Sequence, residues 1–118
     1  HGCEALQIFT KNASQWRGKP LDPDQVRRFR SRIDETGITP VVSHASYLIN
    51  LATSDPALRA QSLAAMADEI DRAEALGLLG VVLHPGCYTY GSDTEAPGLV
   101  GTALRQLLAE RARGRFEA

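Results

Sequence analysis

Val41-Val42-Ser43-His44-Ala45-Ser46-Tyr47-Leu48-Ile49-Asn50-Leu51 and, one unit later, Gly80-Val81-Val82-Leu83-His84-Pro85-Gly86 decide how this chain folds. Each opens on a short apolar run that reads as a buried strand, and each run ends in a histidine. The stretch between them has helical periodicity, which makes a β-α-β unit with two parallel, neighbouring strands. His44 and His84 are then expected at the same C-terminal edge, about one strand spacing (roughly 5 Å) apart. Parallel α/β folds build their sites on that edge. Two imidazoles placed there can share one metal ion.

Upstream of both stretches, residues 5–10 read as another strand, with Gly2 in the turn before it. A polar loop over residues 11–20 carries Lys11, Trp16, Arg17 and Lys19. A helix follows, with Asp22 as N-cap, Pro23 at its first position, Gln25 completing a capping box and Gly37 closing it. Val26, Phe29 and Ile33 form its apolar stripe, while Arg27, Arg28, Arg30 and Arg32 read as a solvated face. The second strand spans residues 38–43, and residues 47–51 form a turn on the site side. Ser54 or Asp55 caps a long helix with Pro56 near its start and Leu63, Met66, Ile70 and Ala73 buried. Leu76-Gly77 ends that helix. The third strand spans residues 78–83, a loop runs from residue 84 to 98, and a last helix covers residues 99–111 with Val100, Ala103, Leu104 and Leu107 inward.

The resulting order is β-α-β-α-β-α, with His44 and His84 40 residues apart, a reasonable length for one β/α repeat. Consecutive units of this kind connect right-handedly, as in a barrel. A complete (β/α)8 barrel takes about 250 residues, and this chain has 118. Three parallel strands also leave two open edges that nothing in the sequence protects, so self-association through those edges is expected of the piece alone. The chain is therefore either a small α/β domain or a piece of a barrel, and the open edges favour the piece: three consecutive parallel β/α units of an incomplete TIM barrel, one partial domain over residues 1–118.

Composition excludes several classes. Hydrophobic residues make up 43% and charged residues 23%, an ordinary globular mixture. No apolar run is long enough for a membrane span and no leader is recognisable, so a cytoplasmic protein is expected. The net charge of −1 gives no global case for nucleic-acid binding, so any such case must be local. Cys3 and Cys87 lie far apart outside any CxxC pair, which favours two reduced thiols over a disulfide or zinc finger.

The paired histidines are the main chemical signal. Zinc takes neutral imidazole nitrogen, and a catalytic site adds a carboxylate and keeps one position for water. A single histidine after a strand is more often a packed, hydrogen-bonded residue; two at matched positions balance that reading. No third ligand is convincing, since Asp93 and Glu95 lie in the right loop but have solvent as the simpler destination. Tyr47 and Trp16 beside Lys11, Arg17 and Lys19 suit nucleic acid, by base stacking and phosphate contact. The plainer alternative is a solvated loop with Trp16 folded over the sheet edge. Pro85-Gly86 shapes the turn after His84.

Three motifs carry a resemblance. Phe9-Thr10-Lys11-Asn12 with Gln15-Trp16, the octapeptide His44 to Leu51, and Leu83-His84-Pro85-Gly86 are similar to the endonuclease IV family of abasic-site DNA-repair nucleases. The resemblance runs from about Leu6 to Gly86 in family order. It implies a TIM barrel, of which this chain would hold the second to fourth β/α units, with a trinuclear zinc cluster at the strand ends. It implies a hydrolase of base excision repair that cuts the phosphodiester 5′ to an abasic site by attack of a zinc-bound hydroxide, leaving a 3′-hydroxyl and a 5′-deoxyribose phosphate.

The resemblance also implies that His44 and His84 ligate one zinc and that Tyr47 contacts DNA. It implies a DNA-groove loop carrying Lys11, Asn12, Trp16 and Arg17. The expected partner is double-stranded DNA with abasic sites, with no membrane and no obligate protein partner. Ala45 departs from a frequent aspartate, and Ser14 from an arginine that probes the base stack in some members; Arg17 is the residue placed to compensate. With two zinc ligands in the chain, the piece alone is expected to be inactive. The rival readings are a metal-dependent sugar isomerase or epimerase barrel, and a non-catalytic α/β binding module.

Overall fold

In the computed structural model, residues 2–84 and 95–117 are described, with side chains followed to residue 111. The elements run β1 (Leu6–Ile8), α1 (Pro23–Thr36), β2 (Val41–His44), α2 (Pro56–Leu76), β3 (Gly80–Val82) and α3 (Ala96–Glu117). The three strands form one parallel sheet in the order β1-β2-β3. Leu6 pairs with Val41 and Ile8 with Ser43. Val42 pairs with Gly80 and His44 with Val82.

The strands are shorter than the apolar runs predict. Pro40 has no N–H to give, so β2 begins at Val41. The Pro40 carbonyl still accepts from Leu6 N at 3.1 Å, and Leu79 N reaches Val41 O at 2.9 Å, so pairing continues past the formal strand ends. His44 falls inside β2 rather than after it.

Both early helices begin and stop where their residues dictate. Asp22 Oδ1 accepts from Asp24 N at 2.9 Å, and Asp55 Oδ1 accepts from Ala57 N at 3.1 Å. Gly37 takes the left-handed conformation (φ 69°) and donates to Ile33 O at 3.0 Å. At Gly77 (φ 71°) the bonds Leu78 N to Ala73 O (2.9 Å) and Gly77 N to Glu74 O (3.1 Å) make a Schellman motif. Arg30 of α1 adds bonds to Ala75 O at 2.8 Å and Glu74 O at 3.1 Å, carbonyls of the last turn of α2. Arg30 thus has a structural task that the solvated-face reading missed. Arg27 and Arg32 pair on the helix surface with Asp24 and Glu35.

The stripe of α1 is only half-buried, because Phe29 and Ile33 border an open groove shared with Ile38, Val41, Leu76 and Leu79. On α2 the buried positions are Ser62, Ala65, Met66, Glu69, Arg72, Ala73 and Leu76, so Leu63 and Ile70 yield to polar residues. The last helix starts at Ala96, before the predicted residue 99, since proline is tolerated in a first turn. Among its described side chains, Ala103 and Leu107 are buried. No helix among the described residues is long and apolar enough to cross a membrane.

The chain divides into two compact units, each described by itself. The first (His1–Leu48 with Asp68–Leu83) holds the sheet and α1. In the second (Ile49–Ala67 with His84–Ala118), Ser62 Oγ accepts from Asn50 N at 3.0 Å. There Arg59 ties Leu51 O to Leu99 O, at 3.3 Å each.

Candidate functional site

His44 closes β2 and is buried. Its Nδ1 lies 2.7 Å from Ala45 O. A carbonyl can only accept, so Nδ1 carries the proton and the lone pair of the neutral ring sits on Nε2. Metal-ligating histidines commonly hold their second nitrogen in this way, which fits the imidazole to a borderline metal such as zinc.

Three rings meet at this edge. Phe9 lies 5.4 Å from His44 and 5.7 Å from Tyr47, and His44 lies 5.2 Å from Tyr47, all tilted. Phe9 is 44% exposed and Tyr47 61%. Exposed rings beside a strand-end histidine offer stacking surface to a base or sugar. Apart from its place in a motif, Phe9 carries no chemical signal in the sequence. Its signal is position, one residue past β1.

His84 lies two residues past β3, is exposed, and belongs to the second compact unit. The pairing seen at this edge joins His44 and Ala45 to Val82, with Ala45 N bonded to Val82 O at 2.9 Å. Asp93, Pro85-Gly86 and Cys87 lie outside the described residues. Glu95 is exposed in the second unit. Among the described residues no group of three or more His, Cys, Asp or Glu side chains could hold a metal. Cys3 is an exposed free thiol.

The loop over residues 11–20 departs from expectation at Lys11. Read as a cation open to phosphate, its side chain is 2% exposed instead. The ammonium donates to Trp16 O at 3.1 Å and pairs with Asp68 at 3.2 Å and Glu69 at 3.6 Å. Two carboxylates of α2 draw the chain's first loop cation inward, where a buried charge must be paired. Lys11 is therefore a structural residue in this fold. Asn12 is exposed, and its Oδ1 accepts from Ser14 N at 2.9 Å, so it shapes the loop. Trp16 is half-buried, while Ser14, Gln15, Arg17 and Lys19 are exposed.

Sequence reasoning misses Asp68, Glu69 and Arg72. Burial opposes the charge of Asp68, but hydrogen bonds from Arg72 and Lys11, with their positive charges, outweigh it and hold the carboxyl below its ordinary range. Two signals point to the group. Asp68 and Arg72 form an i,i+4 pair, and Glu69 interrupts the apolar face that Met66 and Ala73 define.

Comparison with known proteins follows the same lines. The family described as the xylose isomerase-like TIM barrel matches residues 1–115. The probable endonuclease 4 of Chloroflexus aurantiacus (strain J-10-fl) is 43% identical over 113 residues, covering 96% of this chain and 40% of that protein. That of Citrifermentans bemidjiense is 41% identical over 111 residues, covering 92% and 38%. Among solved structures, endonuclease IV from Thermus thermophilus matches with a TM-score of 0.74 at 37% identity, covering 90% of this chain and 38% of that one. The chain thus spans about 40% of the length of the curated relatives it matches.

Proposed function

The chain belongs to the xylose isomerase-like TIM-barrel family, and from that premise we propose that the whole protein is a DNA-repair endonuclease acting at abasic sites. Its open three-stranded parallel sheet is part of such a barrel. The reaction is hydrolysis of the phosphodiester on the 5′ side of the lesion, giving a 3′-hydroxyl and a 5′-deoxyribose phosphate. The observation that carries the reading is His44: a buried imidazole at a strand end, its Nδ1 bonded to Ala45 O, flanked by exposed Phe9 and Tyr47.

His44 and His84 are assigned as metal ligands. For His44 the support is its tautomer and burial; for His84 it is the sequence Leu83-His84-Pro85-Gly86. Zinc, when bound, supplies Lewis-acid polarisation of the phosphate and activation of water near neutral pH. The protein's own residues do the rest. Tyr47 and Phe9 offer rings to bases or sugar, Asn12 and half-buried Trp16 present the groove loop, and exposed Arg17 supplies its phosphate contact. Lys11, its charge paired within the fold, supports the loop rather than the DNA contact.

The family description also spans sugar-isomerase chemistry, so the rival must be separated by experiment. A duplex with one abasic site is incubated with the whole protein before and after EDTA. Incision that EDTA abolishes is the expected result; turnover of a ketose without incision would replace the nuclease with the isomerase. The 118 residues alone are expected not to incise, given two ligands.

A further inference from the structure

Residues 10–19 are fixed chiefly through their backbone carbonyls, with the Thr10 and Lys11 side chains adding anchors on α2. Thr10 O accepts from Arg72 Nη1 at 3.1 Å. Ala13 O accepts from Ser46 Oγ at 2.8 Å and from Tyr47 N at 3.1 Å. Trp16 O accepts from Lys11 Nζ at 3.1 Å, and Lys19 O accepts from Arg72 Nη2. Four carbonyls spaced three residues apart are thereby fixed. Asn12, Ser14, Gln15 and Arg17, which lie between them, have exposed side chains.

We propose that Asp68, Glu69 and Arg72 of α2 are positioning residues that set this loop in its ligand-binding shape before the ligand arrives; the proposal rests on the nuclease reading for the identity of that ligand. One guanidinium spans both ends of the loop, and Asp68 fixes that guanidinium through Nε at 2.9 Å. Asp68 and Glu69 hold Lys11, which in turn holds the middle of the loop. Glu69 also accepts from Thr10 Oγ1 and from Ser46 N, each at 3.3 Å, so one carboxylate joins the loop after β1 to the turn that carries Tyr47. Gly18 completes the fit. A Cβ there would stand 2.6 Å from Lys11 Cβ and 2.9 Å from Arg72 Nη2, so the loop approaches this closely only with glycine. A loop ordered in advance loses less conformational freedom on binding, which strengthens binding without altering the chemical step.

The test uses the whole protein, a duplex containing a tetrahydrofuran abasic analogue, and the variants Arg72→Lys and Gly18→Ala. Lysine keeps the charge but cannot reach both loop ends, and Gly18→Ala disturbs the loop by crowding Lys11 and Arg72 with both side chains retained, should Arg72→Lys fail to fold. KM is expected to rise about tenfold with kcat changed by less than about twofold. Amide exchange over residues 11–19 in the DNA-free protein is expected to quicken in both variants. A fall in kcat at constant KM overturns the proposal, as does unaltered loop exchange, or a loosened loop with KM unmoved. Should the wild-type protein leave the abasic duplex intact, the nuclease reading falls, while loop exchange still decides the positioning role.

Discussion

Glu69, in the middle of α2, accepts a hydrogen bond from the backbone N–H of Ser46 at 3.3 Å, two residues past the histidine that closes β2. A helix carboxylate, 1% exposed, therefore fixes the outlet of a strand. Its other partners are the Lys11 ammonium and the Thr10 hydroxyl. Glu69→Ala removes one member of a buried pair and strands the rest, a change that costs about 3 kcal/mol or more. Urea unfolding of the whole protein is expected to show that loss, with a clearly smaller one for Glu69→Gln, which keeps an acceptor. Equal losses would mean that the carboxylate's charge contributes little here.

Asp68 gives the network a pH dependence. Its folded-state carboxyl is held below the ordinary aspartate value of about 3.9 by Arg72 and Lys11, against the opposing effect of burial. A depressed carboxylate contributes stability that is fully present above its unfolded value and is lost as pH falls through the folded one. The stability gap between wild type and Asp68→Asn is thus expected to be flat above about pH 5 and to close below about pH 4. Because the side chain is 44% exposed, the gap is small and shrinks further in salt. Urea midpoints across pH check both signs.

At Gly77 two constraints coincide. The residue sits at φ 71°, and a Cβ would stand 3.3 Å from Arg30 Cζ, the guanidinium that caps α2. Gly77→Ala is expected to destabilise by about 1–2 kcal/mol from the left-handed backbone alone. Arg30→Ala then costs less in the Gly77→Ala background than in wild type, because the cap is already displaced. Thermal melts of the four proteins in that cycle measure the coupling.

The local devices were legible in the sequence: both helix stops at glycine, the Asp22 cap, the strand-end position of His44 and the parallel order all follow from short-range rules. Lys11 was not. Its loop reads as polar and cationic, and what buries it is a pair of carboxylates, Asp68 and Glu69, far downstream on α2. Glu69 and Arg72 were hidden for the complementary reason, since a stripe scored on apolar letters passes over charged residues on its own face. The half-burial of Phe29 and Ile33 is likewise a matter of what packs nearby, which helical periodicity does not encode.

His44 supplies the last and most direct prediction. With Nδ1 bonded to Ala45 O, only Nε2 can serve a metal, so the side chain acts through one atom. His44→Ala in the whole protein is expected to lower bound zinc, measured by elemental analysis, and to cut incision of an abasic duplex by about 100-fold or more. The fold should survive, because the ring is one of three in a partly exposed cluster and Phe9 and Tyr47 retain each other at 5.7 Å. Near-normal incision and zinc content in a folded His44→Ala protein would remove the ligand assignment and leave His44 as a packing residue of the aromatic edge.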